Sequence, residues 1–343
     1  MKVFFSEEHR LHFPQAELSG GELVTPYERP SRVEYVLRRL RERGLTDIAD
    51  PGPCDMAPVR RLMDAGFLAF LETAWDEWVA AGMKGEIICA GMPTRRMRTD
   101  RIPRNMDGKV GYYCHAAETA ITAGTWRAAL SSVASAQAAQ RHVAAGARAA
   151  FALCRPPGHH ATADQYGGYC FLNNAALVAQ AFRDDGAERV AVLDIDFHHG
   201  NGTQDIFYSR GDVLFASLHG DPLDAYPYYL GYADERGAGA GEGANLNYPM
   251  PPGTGYAVWS EALDDAIARI RDSGAAALVV SLGVDAFRDD PISFFRLDSA
   301  DFTDAGRRIA ALGLPTVLCF EGGYAIEAVG INTVNVLEGF LDA

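Results

Sequence analysis

The apolar run Arg189-Val190-Ala191-Val192-Leu193 ends abruptly on Asp194-Ile195-Asp196-Phe197-His198-His199-Gly200-Asn201-Gly202. Few folds can accommodate that join. The run has the length and β-branched character of a buried strand, predicted over Arg189 to Asp196. Residues i, i+2 and i+4 of an extended chain face one side, so Asp194, Asp196 and His198 should share a face there. Burying two carboxylates and an imidazole without partners costs on the order of several kcal/mol. The pattern therefore predicts a metal site at the mouth of a sheet.

The same join recurs three times. Ala149–Cys154 runs into Arg155-Pro156-Pro157-Gly158-His159-His160, Ala276–Leu282 into Gly283-Val284-Asp285, and Thr316–Phe320 into Glu321-Gly322-Gly323-Tyr324. Val3–Ser6 and Val213–Leu218 are further strand candidates. Helical spacing marks Arg32–Arg43, Asn173–Asp184, Tyr256–Arg271 and Asp301–Leu312, with Pro58–Trp78 in two pieces and Ala116–Arg148 broken near Gly124. Strands alternating with helices predict a parallel sheet covered on both faces. In such sheets ligands collect at the carboxyl ends of the strands. Residues 82–107 and 221–252 are expected to be long loops, functional or interfacial.

Composition narrows the classes. The chain has 343 residues, 48% of them hydrophobic, with no linker-like or repeated segment, so one domain over residues 1–343 is expected. A net charge of −14 repels nucleic acid and attracts cationic solutes. Arginines 95, 96, 98, 101 and 104 are punctuated by aspartate in this acidic chain and fit a subunit contact or a solvated loop better than a nucleic-acid patch. Cysteines 54, 89, 114, 154, 170 and 319 form no Cys-x-x-Cys pair, which suits free thiols in a reducing compartment, the cytoplasm. The start of the chain lacks an apolar leader, and no apolar run reaches about 18 residues, so no membrane span is expected.

If the strands are parallel, their ends bring together carboxylates, imidazoles and a phenol. A catalytic zinc keeps three protein ligands and leaves a position for water. Asp196, His198 and Asp285 can supply those ligands. His159 and His160 are both candidates for a base on that water, because imidazole titrates near neutrality. The Tyr324 phenol, after two glycines, can donate to an oxyanion. His9, His12, His115 and His142 lack such a setting and are read as ordinary.

Together, Arg155-Pro-Pro-Gly-His159-His160, Gly167-Gly168-Tyr169-Cys170-Phe171-Leu172-Asn173-Asn174, Asp194-Ile-Asp196-Phe-His198-His199-Gly-Asn201-Gly-Thr203, Ser217-Leu218-His219 and Glu321-Gly-Gly-Tyr324 make the chain resemble the zinc-dependent histone deacetylase superfamily. Within it, the chain looks most like bacterial acetylpolyamine amidohydrolases. The resemblance covers essentially the whole chain. It implies an arginase/deacetylase-like α/β single domain with a central, mostly parallel sheet of about eight strands. It implies one Zn2+ held by Asp196, His198 and Asp285, with His160 as general base and then acid. His159 would be its electrostatic partner, oriented by Asp194, and Tyr324 would polarise the acetyl carbonyl. Asn201, where many histone-directed members have Asp, would tune His160. Structural K+ or Na+ ions are implied near Asp194, Asp196, His198, Ser217 and Leu218, and near Phe207, Arg210 and Val213.

The resemblance also implies a substrate, a slender cationic acetylated amine such as acetylputrescine, acetylcadaverine or acetylspermidine. Tyr169 would wall the channel, with Gly168 offering backbone. Glu118 and Asp107 would face the distal ammonium, with Tyr226 near the mouth. Residues 82–107 match the insertion that builds a homodimer in that family. The rival readings are a deacylase for acetyl-lysine in proteins or another small amide, an arginase-type dimetal hydrolase, and a catalytically silent acyl-amide sensor.

Overall fold

Eight strands line up in one sheet in the computed structural model, which describes residues 1–343. They are β1 (Lys2–Phe4), β4 (Ile48–Ala49), β5 (Ala149–Ala152), β6 (Val190–Asp194), β7 (Val213–Gly220), β8 (Asn245–Met250), β9 (Ala277–Leu282) and β10 (Thr316–Phe320), in the order β4-β1-β5-β10-β9-β6-β7-β8. Every pairing in this sheet is parallel. The intervening β2 (Glu17–Ser19) and β3 (Glu22–Val24) form a separate antiparallel hairpin.

Both faces of the sheet are covered, which explains why its strands read as unbroken apolar runs. Ala191 and Leu193 pack on the side of α1 (Ser31–Glu42), α8 (Tyr256–Ser273), α9 (Ser299–Ala310) and α10 (Ile326–Leu341). Val190 and Val192 pack on the other, with α5 (Thr125–Ala144), α6 (Asn174–Asp184) and α7 (Asn201–Phe207). A third core gathers α2 (Met56–Leu62), α3 (Ala65–Ala80) and α4 (Met106–Tyr113) over Tyr166 and Phe171.

The four strands with polar extensions, β5, β10, β9 and β6, are adjacent at the centre of the sheet. Parallel pairing puts their carboxyl ends on one edge, so the chain's functional residues meet by topology. No helix is long and apolar enough to cross a membrane.

Some expectations need correction. Strand β6 stops at Asp194 rather than Asp196. There the Asp194 carboxylate accepts the N–H of Asp196 and the Asp196 carboxylate that of His198, replacing ladder bonds by local turns. Helix α5 starts just after the expected break at Gly124, which lies against the backbone of Leu11, but residues 116–124 are not helical. The expected loop 221–252 contains β8, whose Pro249 is tolerated because the strand is at the sheet edge.

Candidate active site

Asp196, His198 and Asp285 are buried and bring their ligand atoms within 4.8 Å of one another. His198 Nδ1 lies 3.0 Å from Asp285 Oδ2 and 3.3 Å from Asp196 Oδ1. The remaining carboxylate oxygens accept main-chain N–H groups, Asp285 Oδ1 from Phe197 and Asp196 Oδ2 from Gly322, each at 2.7 Å. No arginine or lysine neutralises the pair. Burial, and then the charge of Asp196, push the Asp285 carboxyl up to about 8. Burial opposes the charging of His198, but Asp196 and Asp285 raise it to about 10, so without a metal a proton sits between the two acids. Two carboxylates and an imidazole aimed at one point have the donor set of a divalent-metal site, where the ion would take that proton's place. Nearby His159, Cys170 and Glu321 also cluster. His159 Nδ1 is bonded to Asp194 and Cys170 Sγ to the Gly168 carbonyl, while Glu321 Oε1 is buried without a hydrogen-bond partner. Glu321 Oε2 accepts from the N–H groups of Gly158 and His159, and burial holds the Cys170 thiol protonated.

The two histidines after β5 differ in charge. His159 Nδ1 donates to Asp194 Oδ2 at 2.9 Å. Burial opposes its charging, but Asp194 and then Asp196 raise it to about 10, which makes it an imidazolium. His160 is pushed well below 6.5, first by burial and then by the charges of His159 and His198. Its Nδ1 lies 2.7 Å from Asn201 Oδ1, and Asn201 Nδ2 donates to the His160 carbonyl at 3.3 Å. The amide nitrogen must face that carbonyl, so Oδ1 faces the ring. The neutral ring therefore carries its proton on Nδ1 and keeps a lone pair on Nε2. Asn201 is the first residue of α7, which explains its reach back to this loop.

A cavity of about 360 Å³ leads to these groups. His160, His198 and Tyr324 line its inner part. Burial holds the Tyr324 phenol protonated, and its main-chain N–H donates to Asp290 Oδ2 at 2.7 Å. Tyr169, Tyr226, Tyr228, Phe197 and Phe294 supply aromatic walls. Tyr169 adopts φ 65°, uncommon for a side chain with Cβ. It is held by Thr119 Oγ1 on its N–H at 2.8 Å and by Glu17 Oε1 on its hydroxyl at 3.1 Å. At Gly168, φ 57°, a Cβ would lie 2.3 Å from His160 Cδ2, so only glycine lets the wall approach His160 this closely.

Three acids face the cavity, Glu17, Glu118 and Asp224, and no lysine or arginine does. Burial raises Glu118, and raises Glu17 to about 7. Glu118 Oε1 accepts the N–H of Gly168 at 3.1 Å, so this acid also braces the wall.

Of the predicted residues, Asp107 is not brought to the cavity of the single chain. It is exposed in the first turn of α4, whose start at Met106 also shortens the irregular part of the 82–107 segment. Ser217 and Leu218 lie fully buried on β7, with Ser217 in register with Asp194. Phe207, Arg210 and Val213 lie together at the end of α7 and the start of β7, where the Phe207 carbonyl accepts the Arg210 N–H at 2.9 Å. Three neighbours of the site escaped sequence reasoning. Glu17 comes from the distant β2–β3 hairpin, with no local motif to mark it. Asp290 precedes a proline in a loop. His115, read as ordinary, contacts the His160 carbonyl and the Tyr226 hydroxyl.

Residues 26–340 match the model of the histone deacetylase domain. The chain is 57% identical over 339 residues to an acetylpolyamine amidohydrolase of Mycoplana ramosa, with 99% of each chain covered. It is 57% identical over 341 residues to acetylpolyamine amidohydrolase 1 of Pseudomonas aeruginosa, again covering 99% of each. A crystal structure of acetylpolyamine aminohydrolase from Burkholderia pseudomallei superposes with a TM-score of 0.94 at 42% identity, covering 99% of this chain and 98% of that one. The chain belongs to the histone deacetylase family. It is a hydrolytic, metal-dependent deacetylase acting on amide bonds.

Proposed function

We propose that this enzyme removes the acetyl group from acetylated polyamines of the acetylputrescine, acetylcadaverine and acetylspermidine type. One observation carries the reading. The cavity that reaches His160, His198 and Tyr324 is walled by aromatics and lined by three acids with no lysine or arginine. Methylene chains fit aromatic walls, and an ammonium is favoured by carboxylates and π faces. Whole-length similarity to acetylpolyamine amidohydrolases supports the same substrate class.

In this reading Asp196, His198 and Asp285 hold a zinc ion, which when bound supplies Lewis acidity and an acidified water. His160 Nε2, the free lone pair of a neutral ring, takes the proton of the attacking water and returns it to the departing amine. His159, kept cationic by Asp194, stabilises the negative charge that develops beside it. The Tyr324 hydroxyl donates to the carbonyl oxygen as it becomes an oxyanion. Tyr169 and Tyr226 grip the methylene chain, and Glu118 faces the distal ammonium. Monovalent cations on the carbonyls around Ser217 and Leu218, and around Phe207, Arg210 and Val213, belong to the same proposal. So does a homodimer through residues 82–107, where Met97 and Ile102 are exposed.

Acetate release from acetylputrescine, acetylcadaverine, acetylspermidine and an acetyl-lysine peptide, with bound metal measured in the same preparation, tests this. The acetylated di- and polyamines should have the higher kcat/KM. Faster turnover of the peptide would replace this reading with that of a protein deacylase.

A further inference from the structure

Outside the residues that meet metal or substrate, one side chain contacts both the general base and the channel wall. His115 follows α4 and packs under Gly167, where a Cβ would lie 2.5 Å from its Cε1. Its Nε2 is 3.1 Å from the carbonyl oxygen of His160, and its Nδ1 is 3.3 Å from the Tyr226 hydroxyl. A carbonyl oxygen only accepts, so Nε2 must carry the proton. Burial lowers His115 to about 4, so the ring is neutral and Nδ1 has a lone pair. Burial also keeps the Tyr226 phenol protonated, so that phenol is the donor. The polarity of the chain is then fixed: Tyr226 O–H to Nδ1, and Nε2–H to the His160 carbonyl.

We infer that His115 is a positioning residue that ties the channel wall at Tyr226 to the backbone of the general base His160. This inference rests on the deacetylase reading above and adds a part to it. The His160 carbonyl accepts from His115 and from Asn201 Nδ2, so the base is held from two sides. The Tyr226 ring stands edge-on to His160, with centroids 4.9 Å apart, and lines the cavity. The Tyr226 hydroxyl is therefore two hydrogen bonds away from the main-chain carbonyl of His160. The matching anchor on the opposite wall, Tyr169 hydroxyl to Glu17, has no such link to the base among the hydrogen bonds of either residue.

The test compares His115→Leu, which keeps volume and loses both bonds, with His115→Gln, whose amide can donate and accept. Tyr226→Phe and the double variant His115→Leu/Tyr226→Phe complete the set. Loss of a bond that leaves a buried partner unpaired, and slight misplacement of a base, point to roughly a tenfold lower kcat in His115→Leu. Tyr226→Phe should cost less, mainly in KM, and add little in the double variant. His115→Gln should recover most of kcat. Melting temperature and metal content separate these effects from damaged folding. Full kcat in His115→Leu, strictly additive losses, or a loss accounted for by missing metal would overturn the inference.

A second measurement does not depend on turnover. Long-range 1H–15N NMR of the metal-loaded protein, with the His115 signals assigned by comparison with His115→Gln, reports the tautomer. A neutral ring protonated at Nε2 is expected, and a ring protonated at Nδ1 or at both nitrogens overturns the inference. Wild-type enzyme that spares acetylputrescine but hydrolyses another amide would remove the substrate reading alone. The variants are then compared on that amide.

Discussion

At the floor of the cavity each functional side chain follows closely on a core strand, whereas at its mouth every wall comes from a hairpin or a loop. Asp196, His198, Asp285 and Tyr324 stand within a few residues of β6, β9 and β10; main-chain N–H groups of His198, Gly322 and Phe197 fix the two carboxylates, and the Tyr324 N–H is anchored on Asp290. Glu17, Tyr169 and Tyr226 are tied to distant segments through side chains, the Tyr169 hydroxyl to Glu17 and the Tyr226 hydroxyl to the His115 imidazole. The floor inherits the rigidity of a doubly covered sheet. The walls rest on a few polar contacts and on ring packing, Tyr226 against His160 and Tyr169 against Tyr324. In the proposed mechanism, chemistry is thus placed where geometry is fixed by the core, and substrate selection where loops can vary without unsettling it.

This contrast predicts that damage to the floor affects turnover, and damage to the wall affects substrate binding. The largest effect is expected for Asp285→Ala. It removes one of the three converging donors and leaves Asp196 and His198 to hold a cation alone. Metal per chain should fall well below that of the wild type, and kcat/KM by about a thousandfold or more. Metal analysis and acetate release on one sample check this. Retention of full activity with less metal would break the assignment of the floor.

Next in size is Tyr324→Phe. The ring still packs under the guanidinium of Arg32, 4.8 Å from the centroid, so the fold should persist. Only the donor to the developing oxyanion is lost. Expected is a drop of about 10²- to 10³-fold in kcat with little change in KM. Steady-state kinetics on acetylputrescine decide, and a loss confined to KM would move Tyr324 from the floor to the wall.

The corresponding change in the wall is Glu118→Gln. It preserves an acceptor for the Gly168 N–H and removes one charge. KM for a cationic acetylated diamine should rise about five- to tenfold, as one partly screened charge contact implies, while kcat stays near that of wild type. A neutral acetylated alkylamine of equal length should be unaffected, and added salt should shrink the difference for the diamine. An equal loss on the neutral amide would mean that Glu118 only braces the wall.

The same contrast explains what could be read from sequence. At the floor, consecutive residues carry the information. An apolar run names the strand, its polar extension names the site, and parallel pairing brings β5, β10, β9 and β6 side by side. The wall offers no such local code. Glu17 reaches Tyr169 across 152 positions, and His115 reaches Tyr226 across 111. A glutamate in a short hairpin, or a histidine after two tyrosines, looks like any other. Asp107 and Glu118 are both acids near α4, but only Glu118, beyond the end of the helix, faces the cavity, while Asp107 is exposed in its first turn. Strand β8 was hidden for a related reason. An edge strand with Asn245, Asn247 and Pro249 lacks the apolar signature of a central one.

Asn201 lies at the boundary between these regimes, and its substitution should give the smallest but most specific effect. Its Oδ1 accepts from His160 Nδ1, and its Nδ2 donates to the His160 carbonyl. Asn201→Asp keeps the acceptor and replaces a neutral dipole by a carboxylate. A carboxylate beside an imidazole favours the charged ring, so the pKa of His160 rises from its lowered position. His160 must be neutral to take the proton of water. The rising limb of the pH profile of kcat/KM should therefore move to higher pH, by about one unit. On the plateau, where the ring is neutral in both enzymes, the rates should be close. The lost donation from Asn201 Nδ2 still leaves the His160 carbonyl its bond from His115. Asn201→Ala, with neither charge nor amide, controls for position, since its limb should not move upward. An unmoved limb in Asn201→Asp would show that the titrating base is some group other than His160, and would remove the tuning role from Asn201.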